Sequence, residues 1–225
     1  MKFFKFKRLK IVEQMILVIL ISVLIPLITA FFIVNNVNQH AIRNELKYSA
    51  SMINDIIVQN IKAYLGSDKN ALKDIAYALD FIPQNNQNKY LFDISQSSSD
   101  FKNLKIIYSK NIKKNIYYDD NSNKLIICEK LNDNNHYLVA TIDVEIFKNK
   151  IFSTIKDNMR QIYIIDSTSN QIIASHNFSI NEYQNAIKSL PQKIVDNKPQ
   201  LFGKVKNEPI VYNKMTKPDI LVITN

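Results

Sequence analysis

The sequence predicts an α+β protein: an N-terminal apolar helix, a long amphipathic helix that continues it, and two successive antiparallel sheet modules with flanking helices. Three observations predict this. Met15 to Val34, "MILVILISVLIPLITAFFIV", is a run of twenty uncharged, largely apolar positions. Apolar residues then recur at three- and four-residue steps as far as Tyr64. Beyond residue 100, short β-branched and aromatic runs alternate with Asn-, Asp- and Ser-rich turns in two rounds separated by one helical stretch.

The apolar run sets the first element. At about 1.5 Å per residue, twenty residues span roughly 30 Å, the hydrocarbon thickness of a bilayer. Pro26 within it is tolerable in a lipid-embedded helix. A cleaved secretory signal would have a shorter apolar core ending in a small-residue site, and this run passes straight into "NNVNQ" without one. A type IV pilin start would need a Gly where Arg8 and Leu9 stand. The segment therefore reads as a retained anchor whose partner is the lipid bilayer. Lys2, Lys5, Lys7, Arg8 and Lys10 precede it and only Arg43 and Lys47 follow closely, which places the N-terminus in the cytoplasm and the remainder outside, at the cell (inner) membrane.

From there the elements follow in order. Ile42, Leu46, Ile53, Ile56, Ile57, Ile61 and Tyr64 form one stripe of a helix expected to end at Gly66 and Ser67. The stripe suits both packing on its own domain and pairing with a second copy, so a homodimer through this helix is expected. A short helix is expected over 70–81, stopped by Pro83, and "PQNNQNK" reads as loop. Strands are expected at 104–108, 115–119, 124–129 and 136–142 in a meander, then a helix over 144–158. The second round has strands at 160–166 and 171–175, a helix near 180–190, and strands at 200–206, 209–213 and 220–224. The expected divisions are 1–14 (basic cytoplasmic N-terminus), 15–34 (anchor), 35–66 (long helix), 67–159 (first sheet module) and 160–225 (second).

Composition excludes several functions. Only Gly66 and Gly203 are glycines, so no Gly-rich phosphate cradle can be built. Five of the nine excess positive charges lie in the first ten residues, and only three Arg occur, which argues against nucleic-acid binding. The lone Cys128 forms no internal disulfide and, in "KLIICEK", reads as a buried small apolar residue. His40, His136 and His176 are far apart in sequence, and no HExxH, GxSxG or paired-carboxylate motif is present, so neither catalysis nor a metal or other cofactor is implied.

Five residues are candidates for lining a ligand pocket: Tyr108, Tyr117, Tyr118, His136 and Asp143. Each has a structural role open beside it, the tyrosines in a sheet face, His136 at a strand start and Asp143 as N-cap of the helix that follows. Asp166, at the end of "IYIID", is expected to accept the N–H groups of its own turn, with Asn170 in the left-handed region.

The order of these elements, with "LVATIDVEIFKNKI" followed by "IYIIDSTSNQIIASH", resembles the double Cache sensor region of bacterial transmembrane receptors. The resemblance covers roughly residues 11–225 and implies PAS-like modules, the first membrane-distal and the second membrane-proximal. It also implies a small-molecule ligand in the distal module. Tyr117 and Tyr118 resemble the aromatic pair of amino-acid-binding members and Asp143 their late Asp, but Asn115 stands where their Arg would hold a carboxylate. The implied function is the ligand-sensing input region of a membrane-bound signalling receptor, with a sensor histidine kinase the first expectation and a chemoreceptor or diguanylate cyclase next. The sequence ends at "ILVITN", a strand, ahead of the second membrane span and output module that such receptors carry. The rival reading is a membrane-anchored surface scaffold that binds a protein partner and no small molecule.

Overall fold

A computed structural model describes residues 11–109, 112, 114–132, 135–156, 160–188, 190, 200–205 and 208–224. Residues 1–10 of the basic N-terminus and part of the 190–199 connection lie outside them.

Helix α1 spans Ile11–Leu79. Its apolar start meets the length and composition needed to cross a membrane, and the large side chains between Ile11 and Val34 are exposed. Residues up to Glu45 form one unit and Leu46–Asn225 a second. In the second unit the helix buries Ala50, Asn54, Ile57, Val58, Ile61, Leu65, Asp68, Leu72, Ala76 and Leu79. These recur mainly at three- and four-residue steps and make one stripe. The stripe continues past Gly66, so the expected stop there and the separate helix over 70–81 are one uninterrupted helix. Glycine lowers helix propensity without ending a helix whose next turns have Leu72 and Ala76 to bury.

Helix α2 (Gln84–Ser97) occupies the expected "PQNNQNK" loop, with Pro83 at its N-cap. Leu91 is its buried anchor, with Tyr90 and Ile94 packed beside it, and the Asn and Gln side chains mostly face outward.

The first sheet contains β1 (Phe101–Tyr108), β2 (Ile116–Asp119), β3 (Lys124–Lys130) and β4 (His136–Asp143) in the order β1-β4-β3-β2, all antiparallel. It departs from the expected meander because β1 pairs with β4. Leu138, Val139 and Ala140 of β4 are buried in succession, the pattern of a strand flanked on both sides. Helix α3 (Val144–Phe152) follows, capped by Asp143, whose Oδ1 accepts the Glu145 N–H at 2.9 Å.

The second sheet contains β5 (Ile162–Asp166), β6 (Ile172–His176), β7 (Gln200–Val205), β8 (Glu208–Thr216) and β9 (Asp219–Thr224), ordered β6-β5-β9-β8-β7. Helix α4 (Ile180–Lys188) lies in the sequence between β6 and β7. Counted within the module, the strand order is 2-1-5-4-3. The first sheet repeats this order without its second strand.

One apolar core joins α1, α2, α3 and the inner faces of both sheets, with Leu104, Ile127, Leu138 and Ile142 from the first and Ile162, Ile164, Met215 and Val222 from the second. A smaller core lies on the other face of the second sheet. There Tyr163, Ile165, Tyr212, Leu221 and Ile223 pack with Tyr183, Ala186 and Ile187 of α4. No comparable core forms on the outer face of the first sheet among the described residues, and Ile107, Tyr117, Ile126 and Thr141 are half-exposed there.

Asn54 fixes α1 to the second sheet. Fully buried, its Nδ2 donates to Thr224 Oγ1 (3.1 Å) and to the carbonyls of Val222 (3.2 Å) and Val211 (3.4 Å). Asn54→Ala removes these donors and leaves their acceptors under-satisfied, which costs about 1–2 kcal/mol. A lower urea midpoint with an unchanged slope is the expected result; an unchanged midpoint would show that the contact does not hold the helix.

Candidate functional site

The five sequence candidates fall in three places. Tyr108, 60% exposed, ends β1 opposite His136, and the two rings meet edge to face at 5.5 Å. His136 also borders a cleft of about 540 Å³ lined by Asp80, Gln84, Gln87 and Asn132. Asp143 lies at the other end of β4, seven residue steps or roughly 23 Å away, and is engaged in capping α3. Tyr117 and Tyr118 are successive residues of a strand and so point to opposite faces. Tyr118 lies against the shared core and donates to Asn123 Oδ1 at 2.9 Å. Tyr117 lies on the outer side, where burial, then the neighbouring Cys128 and Asp119, raise its phenol pKa. Cys128 itself is buried, which pushes its thiol up to about 11 and leaves it protonated.

The two tyrosines do share a small cavity with residues that the sequence gave no reason to join to them. Lys114, Leu125, Asp166, Ile173, Pro218 and Asp219 line it. Beside it opens a wider cleft of about 540 Å³, bounded by Lys62, Gly66 and Lys69 of α1, by Lys114 and Asn115 before β2, and by Lys217 to Asp219 in the β8–β9 turn. Both sheet modules and the long helix thus contribute to one concavity.

Its rim is built by turn chemistry. The Asp166 carboxylate accepts the N–H groups of Thr168 (2.7 Å) and Ser169 (3.2 Å), and Asn170 closes the turn at φ 56°, both as the sequence predicts. This turn presents Ser167 and Thr168 to Asp219, whose carboxylate accepts from both hydroxyls, the second at 3.1 Å. Lys114 reaches across from the first module, donating to Thr168 Oγ1 at 2.8 Å and standing 3.5 Å from Asp219 Oδ2. Lys214 stands 3.9 Å from the other oxygen. Burial alone would raise the Asp219 pKa, but the hydroxyls of Ser167 and Thr168 and the two ammonium groups outweigh it and hold the carboxyl below its ordinary value. A second bridge, Gln171 Nε2 to Asp120 Oδ2 at 2.6 Å, joins the β2–β3 turn to the end of the β5–β6 turn. A polar network therefore ties the β2 edge of the first module to the β5–β6 turn of the second.

Sequence reasoning missed Lys62, Lys69, Lys114, Lys217 and Asp219, which lie up to 157 positions apart. The available signal was Gly66, one of two glycines in the chain, standing inside a helical pattern.

No protein-family model matches the chain, and no curated protein matches it. Solved structures do. The sensory domain of the Campylobacter jejuni chemoreceptor Tlp3, solved with isoleucine bound, aligns over 81% of this chain and 95% of its own, with a TM-score of 0.54 at 14% identity. The ligand-binding domain of the Pseudomonas aeruginosa amino acid chemoreceptor PctB, solved with L-Arg, aligns over the same shares of the two chains, with a TM-score of 0.52 at 9% identity. The long helix carrying two antiparallel modules is thus the Cache-like fold of receptor sensory domains.

Proposed function

We propose that this chain is the extracytoplasmic ligand-sensing input region of a membrane-bound signalling receptor. The observation that supports it best is the Cache-like fold mounted on α1, a helix whose Met15–Val34 stretch is exposed and uncharged. Ligand enters the cleft shared by α1, the β2 edge and the β8–β9 turn, beside the small cavity that Tyr117 and Tyr118 border. Because α1 is one helix from Ile11 to Leu79, a shift at the cleft passes along it toward the anchor. A ligand drives this only by its differential affinity for two arrangements of the cleft walls.

A sensor histidine kinase is the first expectation for the whole receptor. A chemoreceptor is the second, favoured by the chemoreceptor origin of the two solved structures. Tyr108, His136 and Asp143 lie away from this cleft and take no part in it, and a second copy pairs through the exposed Ile42 and Leu46.

Two experiments test the proposal. Alkaline phosphatase fused after Thr224 should be active in cells and a cytoplasmic β-galactosidase fusion at the same place inactive; the reverse would refute the orientation. The full chain in detergent micelles, screened against a metabolite panel, should melt several degrees higher with at least one compound. Silence across the panel would favour the scaffold reading.

A further inference from the structure

The cleft between the modules is basic out of proportion to the chain. Its lining carries four lysines (Lys62, Lys69, Lys114 and Lys217) against one carboxylate, Asp219, a formal excess of three positive charges. Asp219 is already balanced by Lys114 and by Lys214 behind it. Among the described residues, no ion pair or side-chain hydrogen bond engages the ammonium groups of Lys62, Lys69 or Lys217, and no Arg lines the cleft. Like charges gathered in a concavity raise its potential and concentrate anions there.

Gly66 gives an independent sign of the same site. It lies between Lys62 and Lys69 on one helix face, at the i, i+4 and i+7 positions. A glycine inside a helix costs about 1 kcal/mol relative to alanine. No packing compels it, because a Cβ added there would meet nothing within 4 Å. What the missing side chain does is leave the cleft floor bare between two ammonium groups.

We propose that this cleft binds a small oxyanion carrying two or more negative charges, held by Lys62 and Lys69 over the bare backbone of Gly66 and closed from above by Lys114 and Lys217. Lysine fits that task as a point charge able to follow carboxylate or phosphate oxygens alike, without the planar bidentate geometry of arginine. Bound anion bridges α1 to the β8–β9 turn, so its presence alters how the helix is held by both modules. This rests on the reading of the cleft as the sensor's ligand site and names the class of ligand.

The test uses the full chain in detergent micelles at constant ionic strength, titrated with citrate or with inorganic pyrophosphate against a sodium chloride reference. A saturable rise of several degrees in melting temperature with either anion is expected, and the one that acts identifies carboxylate or phosphate chemistry. Apparent affinity should fall at least tenfold in Lys62→Gln/Lys69→Gln and in Gly66→Leu, which fills the floor, and should be unchanged in Lys89→Gln, an exposed residue of α2 outside the cleft. No saturable shift with either anion, or equal affinity in the double variant, would overturn the proposal. If an uncharged or cationic metabolite raises the melting temperature while both anions fail, the anion assignment falls and the sensor reading stands. If nothing does, both fall.

Discussion

Phe147→Ala is expected to cost about 3–5 kcal/mol, the range for emptying a phenylalanine site in a core that cannot fully collapse around it. Phe147 is fully buried on α3, its ring 6.0 Å from that of Tyr64 on α1, within the core shared by both sheets. Domains of this kind are stable by about 5–15 kcal/mol, so the loss is at least about a fifth of the total. Urea denaturation of the chain in detergent should show a large fall in midpoint. Asn149→Ala, exposed two residues along the same helix, should stay within about 0.5 kcal/mol of the parent. Equal effects at the two positions would contradict the packing described.

A second large effect is one of pH. Asp68 is 5% exposed on the buried stripe of α1, and its Oδ2 has no hydrogen-bond partner among the described residues. Burial first, then the Asp100 carboxylate, raises its pKa from 3.8 to about 6, with the Tyr64 hydroxyl and the Lys150 ammonium acting weakly in the opposite sense. Lys150 lies 3.8 Å from Asp100 and is largely occupied by it. Between pH 4 and 6 the folded chain holds this proton more tightly than the unfolded one. Stability from this group is therefore fully present below about pH 4 and lost as the pH rises to about 6. At roughly 1.4 kcal/mol per pKa unit, the loss is on the order of 2–3 kcal/mol. Asp68→Asn should stabilise the chain by about that amount at pH 7.5 and make little difference near pH 4. Urea midpoints of parent and variant at the two pH values check this, since the other groups cancel in the difference. A gap independent of pH would sink the assignment.

These two residues also mark what the sequence discloses. Phe147 follows the "IDVEIF" pattern at helical spacing, and its burial could be anticipated; the nine strands among the described residues were legible in the same way, because short β-branched runs and Asn-rich turns are local signals. The Asp166 turn, the Asp143 cap and the left-handed Asn170 were legible for the same reason. Helix α2 was not, since its Asn- and Gln-rich start has weak propensity and only Leu91 is fully buried. The pairing of β1 with β4 depends on contacts about 35 residues apart, and the meeting of Lys62 with Lys217 on contacts over 150 apart. Nothing local encodes such meetings. Asp68 reads as an ordinary solvated charge until the first sheet and α3 close over α1.

One further consequence follows from the single apolar interior that both modules share. Both sheets bury their inner faces in it, so heat should melt them in one cooperative transition. Slowly exchanging amides in β4 and β9 should then lose protection at the same free energy, leaving the chain no half-folded refuge.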